Sequence, residues 1–402
     1  MSKLENTFTG PELLLLNYVK EALKTEAVED VPSFSSAEEM KTFLKFAVHH
    51  EVLPLLNELL LDKVSAEIHT ILFEAVAQTV QKSIKLQMLN GELTKQLEEE
   101  NIIAITLKGM AVARFYPVPE YRKTTDMDLF VFEEDKLSDA VKLLEKEGFC
   151  LSAEDQHATH HLVLTNQEQE VVELHKQWAE EFKEKKLNRY LRKIEKESLS
   201  HCRKISWQDT EIYAYETAWQ GFYLMIHILQ HFVGSGFGIR NLCDWVVLWR
   251  NCEEQKERED FWRMAEESKT SEFASALTKV CIKYLGLEEE KSPIPLEQLQ
   301  KEKLAEELLR DILDAGEFGY SEKERMVGMN GSSVLSYVQE FHHQMHINFP
   351  KAGNYFVIWP VLWGVTLLRF FKNNKKLKRA PVHEIMKKAG ERGELVKKLT
   401  QK

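Results

Sequence analysis

The chain has 402 residues, 44% hydrophobic and 29% charged, with a net charge of −11. This composition is ordinary for a soluble globular protein and excludes collagenous, prion-like and low-complexity classes. The length exceeds one simple core and predicts two or three domains or subdomains.

Residues 1–100 read as a helical segment. PELLLLNYVKEAL from Pro11 and EMKTFLKFAVHHEVLPLLNELLL from Glu39 repeat apolar positions at steps of three and four, and a long helical pattern follows from Ser65 to about Glu99. The texture then changes. Ile102 to Leu107 is a short β-branched run that predicts a buried strand, followed by one or two helical turns over Met110 to Tyr116 and a polar loop over Pro117 to Thr125. Asp128 to Phe132 predicts a second strand. Leu137 to Glu147 predicts an amphipathic helix closed by Gly148, and His161 to Thr165 with Glu170 to His175 predicts a hairpin.

This core, residues 101–178, precedes a helical domain over 179–330, with helices at Tyr213–Leu229, Ile239–Trp249, Asp260–Leu285 and Leu296–Asp314 and a loop from Glu317 to Gly331. A helical segment over 331–402 ends in a basic tail. The fold class is α+β, predominantly helical: a small mixed sheet, with helices on one side, between two helical flanks.

From Lys372 to Lys402 there are eleven Lys or Arg against three Glu, a surplus of eight, which leaves the preceding 371 residues at −19. Such a tail suits phosphate, nucleic acid or the surface of an anionic membrane; the plainer reading is a solvated helix whose lysines cover its apolar stem. The apolar run Tyr355 to Phe371 is shorter than the ~20 residues of a spanning helix and is interrupted by Pro360 and Arg369. It predicts a buried helix and no membrane span, with an interfacial helix as the alternative. Cys150, Cys202, Cys243, Cys252 and Cys281 form no C-x-x-C pair, which argues against a disulfide framework or zinc site. The amino terminus carries no apolar signal core. A reducing, cytoplasmic location is expected.

The strongest chemical signal is Thr125-Asp126-Met127-Asp128-Leu129. Two carboxylates one residue apart at the start of a strand point to the same face, where both reach one divalent cation. By itself D-x-D before a strand is weak, because Asp is common at strand starts. The context strengthens it. Lys108-Gly109 closes the preceding strand, where a glycine lets backbone N–H groups approach a phosphate and the lysine adds a point charge. Arg122 is placed to grip phosphate oxygens in a fork. Glu173, among apolar neighbours on a later strand, needs a partner for its charge, and a shared metal is one such partner.

These residues resemble the polymerase-β-like nucleotidyltransferase superfamily, whose hallmark is a glycine turn, a short helix, h-D-h-[DE]-h and a third carboxylate on a later strand. More narrowly, Leu107-Lys108-Gly109, Tyr116-Pro117, Arg122 and Asp126-Met127-Asp128-Leu129 resemble an uncharacterised bacterial nucleotidyltransferase family. Glu173-Leu174-His175 with Trp178, and His231…Gly238-Ile239-Arg240…Cys243-Asp244-Trp245, extend the likeness, and Gly316-Glu317-Phe318-Gly319 carries a weaker echo. The resemblance implies Asp126, Asp128 and Glu173 as catalytic and metal-binding residues for Mg2+ or Mn2+, and Lys108, Gly109 and Arg122 as nucleotide- or phosphate-binding residues. It implies two metals that align attack on the α-phosphorus of an NTP, with Glu173 as general base or second-metal ligand. The acceptor, a sugar, small molecule, protein or RNA end, is not specified. Two departures stand out: Met110 replaces the serine that usually follows the glycine, and the loop from Gly109 to Asp126 is long. They keep open an alternative, a non-catalytic nucleotide-binding or protein-interaction module.

Other polar residues read as structural. His157, His160, His161 and His175 lack the cysteine partners and spacing of a zinc site. His227 and His231 lack the glutamate of H-E-x-x-H and read as packing or hydrogen-bonding residues. Arg240 and Asp244, four apart on a helix, predict a structural ion pair, with a place lining the acceptor side as the alternative. His342, His343 and His346 read as surface residues.

Overall fold

A computed structural model of the chain describes residues 8–25, 31–152, 160–316, 356–376 and 382–400, with His342, Met345 and Phe349. His157, the loop Glu317–Gly331, His343 and His346 lie outside the described residues.

The amino-terminal helices form where the periodicity places them. Helices α1 (Gly10–Ala22) and α2 (Ala37–His49) both open on side-chain caps. Glu12 accepts from the Thr9 backbone N–H at 2.6 Å, and the Ser36 hydroxyl accepts from the Glu39 N–H at 3.1 Å. Each satisfies a donor that the first helical turn leaves unpaired. A one-turn helix, α3 (Asn57–Leu60), leads into the long α4 (Ala66–Glu99).

Strand β1 (Ala104–Thr106), the short α5 (Met110–Ala113), β2 (Met127–Val131), α6 (Glu134–Lys146) and, after a short strand β3 (Cys150–Leu151) that the sequence pattern did not mark, the hairpin β4 (His161–Thr165) and β5 (Val171–His175) follow one another. Gly148 does leave α6 with φ +88°, the left-handed turn that glycine accepts at no steric cost.

The sheet does not stop at Trp178. After α7 (Lys185–Ser198) comes a second hairpin, β6 (Cys202–Trp207) and β7 (Thr210–Tyr215), within the stretch expected to be wholly helical. Strand β7 pairs parallel with β1, so the mixed sheet has seven strands in the order β3-β4-β5-β2-β1-β7-β6. Strand β1 runs antiparallel to β2, and β2 parallel to β5.

Alternation along β2 sorts its side chains between two cores. Met127, Leu129 and Val131 join Leu86, Leu93 and Leu97 of α4 and Leu144 of α6 on one face. Phe130, with Ile105 and Leu107, joins the larger core of the carboxyl-terminal helices on the other. Helices therefore cover both faces, rather than the single face expected. That second layer is α8 (Thr217–Val233), α9 (Ile239–Arg250), α10 (Gln255–Glu267), α11 (Ser271–Leu285) and α12 (Glu302–Ala315). Gln220 of α8 donates to the Leu107 carbonyl at 2.5 Å and pins this layer to the end of β1.

The apolar run near residue 360 forms α13 (Trp359–Lys376), followed by α14 (Val382–Thr400). Among the described side chains of α13, Leu362 and Thr366 face inward, while Val361 is 66% and Leu368 71% exposed, so the helix expected to be buried is covered there on one side. Among the described residues, no helix is long and apolar enough to cross a membrane. Helix α14 docks through Leu395 and Leu399, and two of its basic residues are engaged with the body: Arg392 with Asp311 at 3.2 Å and Lys398 with Glu307 at 3.0 Å.

Candidate active site

Asp128 and Glu173 are direct cross-strand partners on β2 and β5, and His175 stands opposite Phe130 two residues further along. Because strand side chains alternate, Asp128, Glu173 and His175 all project from the face that α8 covers. One ligand atom from each lies within 4.8 Å of the others. His175 Nε2 is 3.1 Å from Asp128 Oδ1 and 3.5 Å from Glu173 Oε2. The Lys108 Nζ, entering from the end of β1, is 3.2 Å from the same Asp128 oxygen. The other Asp128 oxygen, Oδ2, is buried and has no hydrogen-bond partner among the described residues.

Asp126 precedes β2, is half-buried, and accepts from the Thr125 hydroxyl at 3.2 Å. It lies near enough for its charge to act on both Lys108 and Glu173, but it is not in the tight three-residue group. Gly109 adopts φ +57° and ψ −110° at the start of α5, a backbone region that a Cβ disfavours. The turn after β1 is thereby fixed in a conformation that keeps backbone, rather than side chain, at this end of the sheet.

The electrostatics of the site arise from mutual compensation. Burial drives the Lys108 ammonium towards neutrality, but the charges of Asp128, Asp126 and Glu173 outweigh it and hold its pKa above the ordinary lysine value. Burial likewise opposes charge on His175, yet its hydrogen bonds to Asp128 and Glu173 raise its pKa to about 9. Burial pushes the Glu173 carboxyl up, but His175 and Lys108 bring it below the usual range, so it is ionised at neutral pH. Mutually repelling carboxylates with raised pKa values, the natural expectation for a metal-free acidic cluster, are not what this arrangement produces at Glu173. Two buried bases stand among the acids and cancel the repulsion.

Arg122, expected at a phosphate, is engaged by protein groups. Its Nε and Nη2 donate to the two carboxylate oxygens of Asp244, each at 2.7 Å, and Nη1 donates to the Thr124 hydroxyl at 3.0 Å. The side chains of Arg122 and Asp244 are each 2% exposed, and Tyr116 donates to Asp244 at 2.6 Å. The fork grips a protein carboxylate, and it anchors the 117–125 loop to α9. Asp244 is thus the partner of Arg122 and not of Arg240. Arg240 donates to the Lys123 carbonyl at 3.0 Å and lies 3.4 Å from Glu51.

Residues of α8 complete the wall opposite the carboxylates. Tyr223 is buried, its hydroxyl has no hydrogen-bond partner among the described residues, and burial and then the Asp128 and Glu173 charges hold its pKa well above the usual phenol value. His227 stacks on Tyr223 and stands 3.1 Å from His231 between ring nitrogens. Burial and then the Lys108 charge hold His227 neutral. Neither the placement of Tyr223 nor that of His227 was legible in sequence. His175, set aside in the sequence as structural, did carry a signal: the i, i+2 rule applied to Asp126 and Asp128 also relates Glu173 to His175.

Residues 36–286 match the family described as uncharacterised nucleotidyltransferase. No curated protein matches the chain. A crystal structure of an antigenic nucleotidyltransferase-like protein from Paracoccidioides brasiliensis aligns at 18% identity with a TM-score of 0.30, covering 48% of this chain and 91% of that one. The family match runs from α2 to α11, includes strands β1 to β7 and covers more than half of the chain, and on that ground the chain belongs to the uncharacterised nucleotidyltransferase family.

Proposed function

We propose that this protein transfers a nucleoside monophosphate from an NTP to a hydroxyl or phosphate oxygen of an acceptor. The observation that carries the reading is the convergence of Asp128, Glu173 and His175 from two adjacent strands, with Lys108 beside them and a buried, unpartnered Asp128 oxygen. That donor set fits a divalent cation, which Asp128, Glu173 and His175 would hold with Asp126 alongside; Mg2+ and Mn2+ are the ions the family resemblance implies. When bound, the cation neutralises phosphate oxygens.

The chain's own groups do the rest. Lys108 stays charged and takes a phosphate oxygen in place of Asp128, while the Gly109 turn leaves room for a phosphate against the backbone. Glu173, ionised at neutral pH, accepts the proton of the acceptor oxygen. That oxygen forms its bond to the α-phosphorus as the bond from the α-phosphorus to the bridging oxygen breaks, and pyrophosphate leaves with the electron pair. A cytoplasmic setting supplies the NTP.

One observation favours the alternative, a module that binds nucleotide or a protein partner without turnover. Lys108 and His175 already satisfy Asp128 Oδ1, as they would in a site retired from chemistry. Incubation with each labelled NTP and Mg2+ or Mn2+, following self-labelling and transfer into cell extract, separates the two. Label transfer that disappears in Asp128→Asn is the expected result. Nucleotide binding with no transfer to any acceptor assigns the module instead.

A further inference from the structure

Two donors bound about 2.1 Å from one ion stand roughly 3.0 Å apart at a right angle and roughly 3.4 Å apart in a tetrahedron. His175 Nε2 keeps 3.1 Å from Asp128 Oδ1 and 3.5 Å from Glu173 Oε2. These spacings let the imidazole serve as a third ligand, a cation taking the place of the proton on Nε2. The imidazole is also held there: His175 is buried, on a strand, in register between β2 and β4. A small shift does not remove it, because its neighbours on both sides belong to the same sheet.

Magnesium is a hard ion that prefers oxygen donors and keeps several waters; an imidazole nitrogen favours the later first-row ions. We infer that the Asp128–Glu173–His175 group selects a transition ion of the cobalt or zinc kind over magnesium, with His175 Nε2 as the selecting ligand. The inference rests on the reading of this group as a cation site. It assigns to His175 a role that three carboxylates cannot fill. Asp126, outside the tight group, is left as the carboxylate with least part in the choice of ion.

The experiment uses the full chain stripped of metal. Co2+ is added and its visible d–d absorption followed, and Mg2+ is then titrated in. The same is done with His175→Gln, which keeps a hydrogen bond to Asp128 but offers an amide oxygen for the nitrogen. In the wild type, Co2+ is expected to withstand about a 100-fold excess of Mg2+, and in His175→Gln to be displaced at about a tenth of that excess or less. Independently of any variant, the pulsed EPR spectrum of bound Mn2+ is expected to show coupling to an imidazole 14N. Equal displacement of Co2+ by Mg2+ in both proteins, or no 14N coupling, overturns the assignment of His175 while leaving the cation site standing. If neither Co2+, Mn2+ nor Mg2+ raises the melting temperature of the wild type, the cation site itself is lost, and with it this inference.

Discussion

Asp128 accounts for most of the site's electrostatic organisation. One oxygen receives Lys108 and His175, and the other is buried and unpaired. Asp128→Asn keeps the shape and removes the charge that two buried bases rely on. The metal-free variant is expected to be less stable by ~1–3 kcal/mol, because breaking a buried pair leaves its partner partly uncompensated. Lys108 keeps the fields of Asp126 and Glu173, which limits the loss. The diagnostic quantity is therefore the ligand-induced rise in melting temperature. With a divalent cation plus NTP it is expected in the wild type and absent in the variant. Equal rises in both would remove Asp128 from the binding site. Arg122 tests the opposite role. Its bidentate grip on Asp244 is buried, and a lysine cannot reproduce the fork. Arg122→Lys is expected to lower unfolding stability in urea by ~2–4 kcal/mol while leaving NTP affinity of the folded protein within about twofold. A stable variant with weakened NTP binding would return Arg122 to the phosphate.

Helix α8 is the element that turns a sheet face into a site. It holds Gln220 on the Leu107 carbonyl and places Tyr223 and His227 opposite the carboxylates. Its position depends on a close crossing with α9. A Cβ on Gly221 would stand 2.4 Å from Cζ2 of the buried Trp249, well inside contact distance. Gly221→Ala gains up to ~1 kcal/mol of helix propensity but forces Trp249 or the helix aside, which costs ~1–3 kcal/mol or more in a packed core. The net expectation is destabilisation, read by chemical denaturation, with reduced nucleotide binding because the α8 wall moves. An unchanged or raised stability would show that the helices separate freely. The hairpin β6–β7 illustrates an element hidden from pattern reading. Its turn, Trp207-Gln208-Asp209-Thr210, places Gln208 at φ +50° without the glycine or asparagine that marks such turns.

At the scale of the molecule, Trp178 and Glu195 tie the end of β5 to α7 and β7. The Glu195 carboxylate accepts from the Trp178 N–H at 2.8 Å, and the Trp178 indole donates to Tyr215 at 3.1 Å. Burial raises the Glu195 pKa to about 7, against the opposing pull of the Trp178 N–H and Arg192. A carboxyl whose folded pKa exceeds its unfolded value stabilises the protein below the unfolded pKa, and that contribution is lost as pH rises through the folded one. The window is therefore from the ordinary glutamate value to about pH 7. Glu195→Gln keeps the acceptor and cannot ionise. Its melting temperature relative to the wild type is expected to rise between pH 5 and pH 8, and a flat difference would show that Glu195 ionises without cost.

The sequence alone determined the main strands and helices between Ile102 and Trp178, apart from the two-residue β3, and the turn at Gly148, because each comes from local rules: apolar period along strand and helix, glycine at positive φ. It also identified the family by its motif order. Tertiary structure decided the rest. Arg122 looks the same in sequence whether it grips a phosphate or Asp244, since its partner lies more than a hundred residues away. Strand β7 joins β1 from outside the apparent core because strand pairing is a long-range contact that periodicity does not encode. Exposure of one side of α13 depends on which neighbours cover it. The convergence of Lys108, Asp128, Glu173 and His175 exists only because β1, β2 and β5 are adjacent in one sheet, and their charges acquire the values they have only when burial brings them together.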